Sequence, residues 1–292
     1  MVLLIVKLCF IKNYRIKKKI IVLAPVFLFF IALFLTCDNK TNNQRNPKQS
    51  KEIKKEMKKE TAKKDCDQVH WSHHEGEHGP ENWANLCEGF KDCNGEKQSP
   101  IDIKEAVEGE DLKPLEFEYG KTKVNIINNG HTVQFNIDKG SSMMVDGKKY
   151  DLLQFHYHAT SEHTINGEYS PLEVHFVHRH ADDDFAVLGI MYEEGKANDL
   201  FNKYLQHFPA EKGEYTSDEK FDLAALLPDN LSYYHYGGSL TTPPCSEVVS
   251  WYLLQNPLRA SQEQIKDFSG ILDKNFRPIQ ELNGRTIYKF EE

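Results

Sequence analysis

Gln154-Phe155-His156-Tyr157-His158 alternates polar and aromatic side chains over five positions. Aromatic residues favour strands, and alternation with a period of two is the strand signature. Side chains two apart on a strand share a face. Gln154, His156 and His158 therefore point one way, and Phe155 and Tyr157 the other. Two imidazoles on one face, one residue apart, suit a single metal ion, and nitrogen ligands favour zinc. A His-x-His by itself is also what exposed strand histidines look like.

Further along, Ser161-Glu162-His163-Thr164-Ile165 leads into Asn166-Gly167, a strong hairpin signal. Leu172-Glu173-Val174-His175-Phe176-Val177 then alternates again, with Glu173, His175 and Val177 on one face. A returning neighbour strand would bring His175 beside the first two histidines. Three histidines with one open position make a catalytic zinc site, whereas structural zinc is closed by four protein ligands. Gln154 and Glu173 are spaced to hold ligand rings from behind. His178 and His180 form a rival His-x-His on the opposite face. They run into Arg179 and Asp182–Asp184, which predicts a solvent-facing pair.

These stretches, with Gln98-Ser99-Pro100-Ile101-Asp102-Ile103, Asn128-Asn129-Gly130-His131 and Gly238-Ser239-Leu240-Thr241-Thr242-Pro243-Pro244, resemble the α-class carbonic anhydrases. The motifs follow the family's order across about residues 65–292, and the resemblance is nearest to bacterial, secreted members. It implies a mainly β (α+β) single domain: a large, mostly antiparallel twisted central sheet with short peripheral helices. It implies Zn2+ on His156, His158 and His175, with carbon dioxide and bicarbonate as substrate and product. Zinc lowers the pKa of bound water from about 15.7 to about 7 in this very family, so that zinc-bound hydroxide attacks carbon dioxide. Thr241 would accept a hydrogen bond from that hydroxide and donate its own proton to Glu162. Val177, Val187, Leu240, Thr242, Val249 and Trp251 match the positions lining the substrate pocket. His131 matches the proton shuttle, and an imidazole titrates in the right range for that task. Secreted relatives also bridge the positions of Cys93 and Cys245. The pairing of Cys66 and Cys87 stays open.

Apolar residues make up 39% of the 292 and charged residues 27%, a globular composition. The net charge of −8 hides a division. Residues 65–292 hold 40 of the 44 acidic groups but only 20 of the 36 basic ones. Such an acidic domain is not a nucleic-acid binder. Residues 1–37 carry six basic groups and no acid, and Ile20–Leu35 is an uncharged apolar run. A positive flank before a short apolar run reads as an export signal. Leu35-Thr36-Cys37 resembles a bacterial lipoprotein cleavage site, although Phe34 and Thr36 depart from the usual residues. Lipid attachment at Cys37, an uncleaved anchor and plain secretion all remain open, and each puts the domain in the periplasm or cell envelope. The first reading attaches the chain to a membrane through its N-terminus. Residues 38–64 are Asn-, Gln- and Lys-rich, with too few apolar residues for a core, and are expected to form a disordered basic tether.

His70, His73, His74 and His78 surround Trp71. No Tyr follows Trp71, where family members carry one, and His73 or His74 stands in its place. The arrangement of water there is left open. The same histidines raise a second possibility, a zinc-buffering lipoprotein. A third is an inactive envelope binding protein on the same fold, but such proteins lack one or more zinc histidines. Elsewhere, residues 117–137 alternate like short strands, residues 185–190 like a buried one, and Ser261 with Gln264 makes a capping box.

Overall fold

A computed structural model describes residues 66–292. The expected leader, the Cys37 site and the basic tether lie outside the described residues. No helix among the described residues is long and apolar enough to cross a membrane.

The alternating stretches form the centre of a thirteen-stranded sheet. Its main strands are β1 (Lys121–Asn128), β2 (Val133–Asn136), β3 (Lys148–His158), β4 (Leu172–Ala181), β5 (Asp184–Glu194), β6 (Gly213–Asp222), β7 (Tyr233–Gly238) and β8 (Val249–Leu254). They lie side by side in the order β6-β1-β2-β3-β4-β5-β8-β7. Every neighbouring pair is antiparallel except β5 and β8, which run parallel. The large, mostly antiparallel sheet implied by the resemblance is present. Asn166-Gly167 does turn a hairpin, but only between the two-residue strands Thr164–Ile165 and Glu168–Tyr169. That small hairpin is an excursion between β3 and β4.

Alternation divides the sheet into two faces with different tasks. Phe155 and Tyr157 of β3, Phe176 of β4 and Leu188 of β5 are fully buried in the main core. Phe201 from α1 (Asp199–Tyr204) and Phe268 from α2 (Gln262–Leu272) close over them. Ser261 caps α2 through the expected reciprocal bonds with Gln264. The opposite face carries His156 and His158, paired across the ladder with His175 and Glu173. Val177 pairs with Val187, and Val187 with Trp251, continuing that face into a second apolar cluster. Gly189 sits opposite His175. A Cβ there would lie 3.1 Å from Glu173 Oε1 and 3.3 Å from Leu253 Cγ, so glycine leaves Glu173 room beneath the histidines.

One expectation fails here. His180 is exposed, but His178 is 0% exposed and packed in the core. Its Nδ1–H donates to Ala186 O at 3.2 Å, and Tyr119 Oη lies 2.8 Å from its Nε2. The face opposite His175 is the inner face of the main core, not a solvated one. The acidic turn that follows governs only the end of β4. Burial pushes the His178 pKa down to about 4 from 6.5. Below pH 6.5 the unfolded chain therefore takes up a proton that the folded chain refuses. This contribution to stability is complete above 6.5 and is lost as the pH falls toward 4. It amounts to about 3 kcal/mol at most. A His178→Gln variant should therefore lose stability less steeply than the wild type across that window, as read by denaturant unfolding. Parallel slopes would contradict this account.

Candidate active site

The sheet brings His156, His158 and His175 together. Their ring centroids lie 5.0 Å, 5.3 Å and 4.5 Å apart, pair by pair. Each offers a ligand atom within 4.8 Å of the others. The second nitrogen of each ring is tied to an acceptor. His156 Nδ1–H donates to Gln154 Oε1 at 2.9 Å, and His158 Nδ1–H to Asn275 O at 2.7 Å. His175 Nε2–H donates to Glu173 Oε1 at 2.7 Å. Each ring thus keeps one nitrogen free: Nε2 of His156, Nε2 of His158 and Nδ1 of His175. His158 Nε2 is buried without a hydrogen-bond partner. Burial holds the pKa of His156 well below its usual value and that of His158 at about 4, so both rings stay neutral near pH 7.

Behind the three histidines lies a buried network. Glu173 Oε2 accepts from the backbone N–H groups of Glu162 and His163. Glu173 Oε1 also accepts from His163 Nδ1–H at 2.8 Å, and His163 Nε2 lies 2.7 Å from Tyr236 Oη. Burial alone would raise the Glu173 pKa, but His163 and His175 override it and hold the carboxyl well below its usual range. Glu162 behaves differently. Burial raises its pKa, opposed by His175, the Thr241 hydroxyl and the Arg277 amide. Its Oε1 accepts from Arg277 N–H at 2.8 Å. Its Oε2 makes no regular hydrogen bond and faces His158 Nε2 at 3.6 Å and His175 Nδ1 at 3.8 Å.

Thr241 lies in a loop held by the segment Gln98–Ser99. Ser99 N–H donates to Ser239 Oγ at 2.9 Å, and Gln98 Nε2–H to Cys245 O at 3.2 Å. Trp251 Nε1–H donates to Ser239 O at 3.0 Å. A Cys93–Cys245 disulfide closes the loop, with Cα atoms 4.8 Å apart. Cys66 and Cys87 pair as well, which settles the pairing left open by the sequence. Val187, Val249 and Trp251 are buried in one apolar cluster, with Val177 and Leu240 packed against it. Thr242 is half-buried beside Thr241.

His131 lines a cleft with Trp71, His73 and Asn275. Gly130 adopts φ of +90°, a conformation that favours glycine. The Asn129 side chain accepts from the backbone N–H groups of His131 and Thr132. The His131 ring stacks on Trp71 at 3.8 Å, with the ring planes 10° apart. Burial, Lys212 and His70 lower its pKa. His70, His74 and His78 are exposed, whereas His73 is buried between Trp71 and Trp83. Among the described residues, only two groups of three or more converge as metal ligands: the triad, and His163-Glu173-His175. The His70–His78 stretch contributes to neither.

The sequence reading overlooked His163, Asn275 and Arg277 as parts of the site. The contact of Asn275 with His158 spans 117 residues and leaves no local pattern.

Residues 78–291 match the family model described as eukaryotic-type carbonic anhydrase. A carbonic anhydrase from Pectobacterium carotovorum is 43% identical over 225 residues, covering 76% of this chain and 91% of the relative. A hyperthermostable carbonic anhydrase from an active hydrothermal vent chimney superposes with a TM-score of 0.73 at 41% identity, covering 76% of this chain and 100% of that one. The α-carbonic anhydrase from Thermovibrio ammonificans, solved with the inhibitor sulfanilamide, gives 0.72 at 40% identity, over 75% of this chain and 99% of that one. The chain belongs to the eukaryotic-type, or α, carbonic anhydrase family and is an enzyme of that class.

Proposed function

We propose that the chain reversibly hydrates carbon dioxide to bicarbonate and a proton, with one Zn2+ held by His156, His158 and His175. The observation that carries this reading is the set of three rings, each with one nitrogen fixed by an acceptor and the other left free. Three nitrogen donors with an open fourth position fit a catalytic zinc. The buried, unpartnered Nε2 of His158 is a further sign of fit, because an unsatisfied buried polar atom is costly. When bound, zinc supplies a water acidic enough to lose its proton near neutral pH.

The protein's own groups do the rest. The Thr241 hydroxyl donates its one proton to the Glu162 carboxylate, which leaves its lone pairs to accept from the reacting water. That arrangement orients the water oxygen and rejects ligands with no proton to give. Carbon dioxide is uncharged and apolar, and Val177, Val187, Leu240, Val249 and Trp251 offer it an apolar wall, with Thr242 at its edge. Gln154 and Glu173 fix the ligand rings. His131 takes the released proton to solvent. Its lowered pKa keeps it neutral, and so ready to accept, at near-neutral pH. The three intact ligands favour this enzyme over an inactive binding protein, and the unconverged His70–His78 stretch gives no support to a zinc buffer. The acidic, doubly disulfide-bonded domain suits an exported location.

Stopped-flow hydration tests the reading. The wild type should turn over carbon dioxide and lose that activity to a zinc chelator. His131→Ala should keep its zinc and its kcat/KM, but kcat in dilute buffer should fall by about tenfold or more. Added imidazole should restore much of it, because an outside base replaces the missing acceptor. Equal loss at every buffer concentration would make His131 structural.

A further inference from the structure

The turn between β4 and β5 places Asp182 and Asp183 on a groove of about 540 Å3. Asp67 lines the same groove, one residue after Cys66. Its remaining surface is largely apolar: Val69, Phe185, Leu240 and Pro244 line it, each half-buried. Phe185 and Leu240 also pack against the cluster that holds Val187 and Trp251, so the groove adjoins the apolar wall of the site. All three aspartates are exposed. Asp182 meets the Arg179 guanidinium only at 3.9 Å. Among the described residues, none forms an ion pair with Asp67 or Asp183.

Half-buried apolar side chains beside exposed carboxylates suit an occupant that is apolar and basic at once. The chain carries such a segment immediately before the groove. Residues 51–64 hold seven lysines against three glutamates, with Ile53 and Met57 as their large apolar residues. We propose that residues 51–64 dock in this groove, with Ile53 and Met57 against its apolar side chains and the lysines against Asp182 and Asp183. The connection is long enough. Met57 lies nine residues before Cys66, a reach of up to about 30 Å, and Cys66 itself lines the groove. Exposed ion pairs each contribute little. Covalent attachment offsets this weakness, because a short tether holds a segment at an effective concentration in the millimolar range. The docked segment covers apolar surface beside Leu240. It involves neither the three histidines nor the reaction, so the proposal stands apart from the hydration reading.

Zero-length carbodiimide coupling of the full chain, followed by peptide mapping, tests this. The reagent joins a lysine to a carboxylate only where the two touch. Lys63 and Lys64 are too close to Asp67 in the chain to be informative. The readout is therefore coupling of the lysines between 51 and 59 to Asp182 or Asp183. In a dilute mixture of isotope-labelled and unlabelled chains, both halves of each linked peptide should carry the same label. An Ile53→Ser, Met57→Ser double variant keeps every charge and should lower the yield by about tenfold, since burying an apolar side chain is worth at least that factor. Both positions lie outside the described domain, so the loss would not come from a damaged sheet. Raising salt from about 0.01 M to about 1 M shortens the screening length from about 30 Å to about 3 Å and should lower the yield as well. Coupling spread over the exposed carboxylates of the whole domain would overturn the proposal. So would a yield unchanged by the serine substitutions, and so would coupling between chains of different label, which would make a second copy the occupant.

Discussion

Replacing any one of His156, His158 or His175 by alanine should abolish tight zinc binding and reduce carbon dioxide hydration to background. In the proposed site each ring supplies one of three nitrogens, and two imidazoles cannot hold the ion in a fixed tetrahedral frame. A graded comparison is built into the site. Gln154 touches only the far side of the His156 ring, at 2.9 Å. Gln154→Ala should therefore weaken zinc affinity by roughly 10–100-fold, the usual cost of losing an outer partner, and leave a working enzyme. His180→Ala should change neither quantity, since His180 is exposed and bonds only to Lys149 O. Metal analysis of the purified variants and stopped-flow hydration read both effects. Full activity in any of the three ligand variants would remove that residue from the site.

Removing the Cys93–Cys245 bridge should cause the largest loss of stability. It closes a separation of 152 residues. In the chain-entropy model such a loop contributes about 4–5 kcal/mol, and marginal domains have only about 5–15 kcal/mol in all. The Cys66–Cys87 bridge spans 21 residues, for which the same model gives about 3 kcal/mol. A Cys93→Ser, Cys245→Ser double variant should melt about 10–20 °C below the wild type. Cys245 lies four residues after Thr241, and its carbonyl is bound by Gln98. The loop should loosen, and turnover should fall while zinc stoichiometry stays at one. Calorimetry and peptide mapping without reductant decide the matter. An unlinked Cys93 peptide in the wild type, or a double variant that melts with it, would contradict the assignment.

Local patterns carried far into this molecule. Alternation at 154–158 and 172–177 gave the right faces, and the Ser261–Gln264 pair gave the right cap, because both depend on neighbours in the chain. Alternation did not say what each face meets. His178 lies where its strand is covered by the main core, so it is buried although exposed, charged residues follow it. Nor could spacing give the ring nitrogens. His156 and His158 offer Nε2 whereas His175 offers Nδ1, because their acceptors come from a side chain, a distant carbonyl and a buried carboxylate. The Cys66–Cys87 pairing and the burial of His73 between Trp71 and Trp83 likewise depend on tertiary contacts.

The most direct test of the account is a zinc titration of the metal-free chain, with hydration followed by stopped flow at each addition. The account predicts that activity rises linearly and stops at one zinc per chain, and that a chelator reverses it. Activity independent of added zinc, a plateau at several zincs per chain, or one bound zinc with no hydration would contradict it.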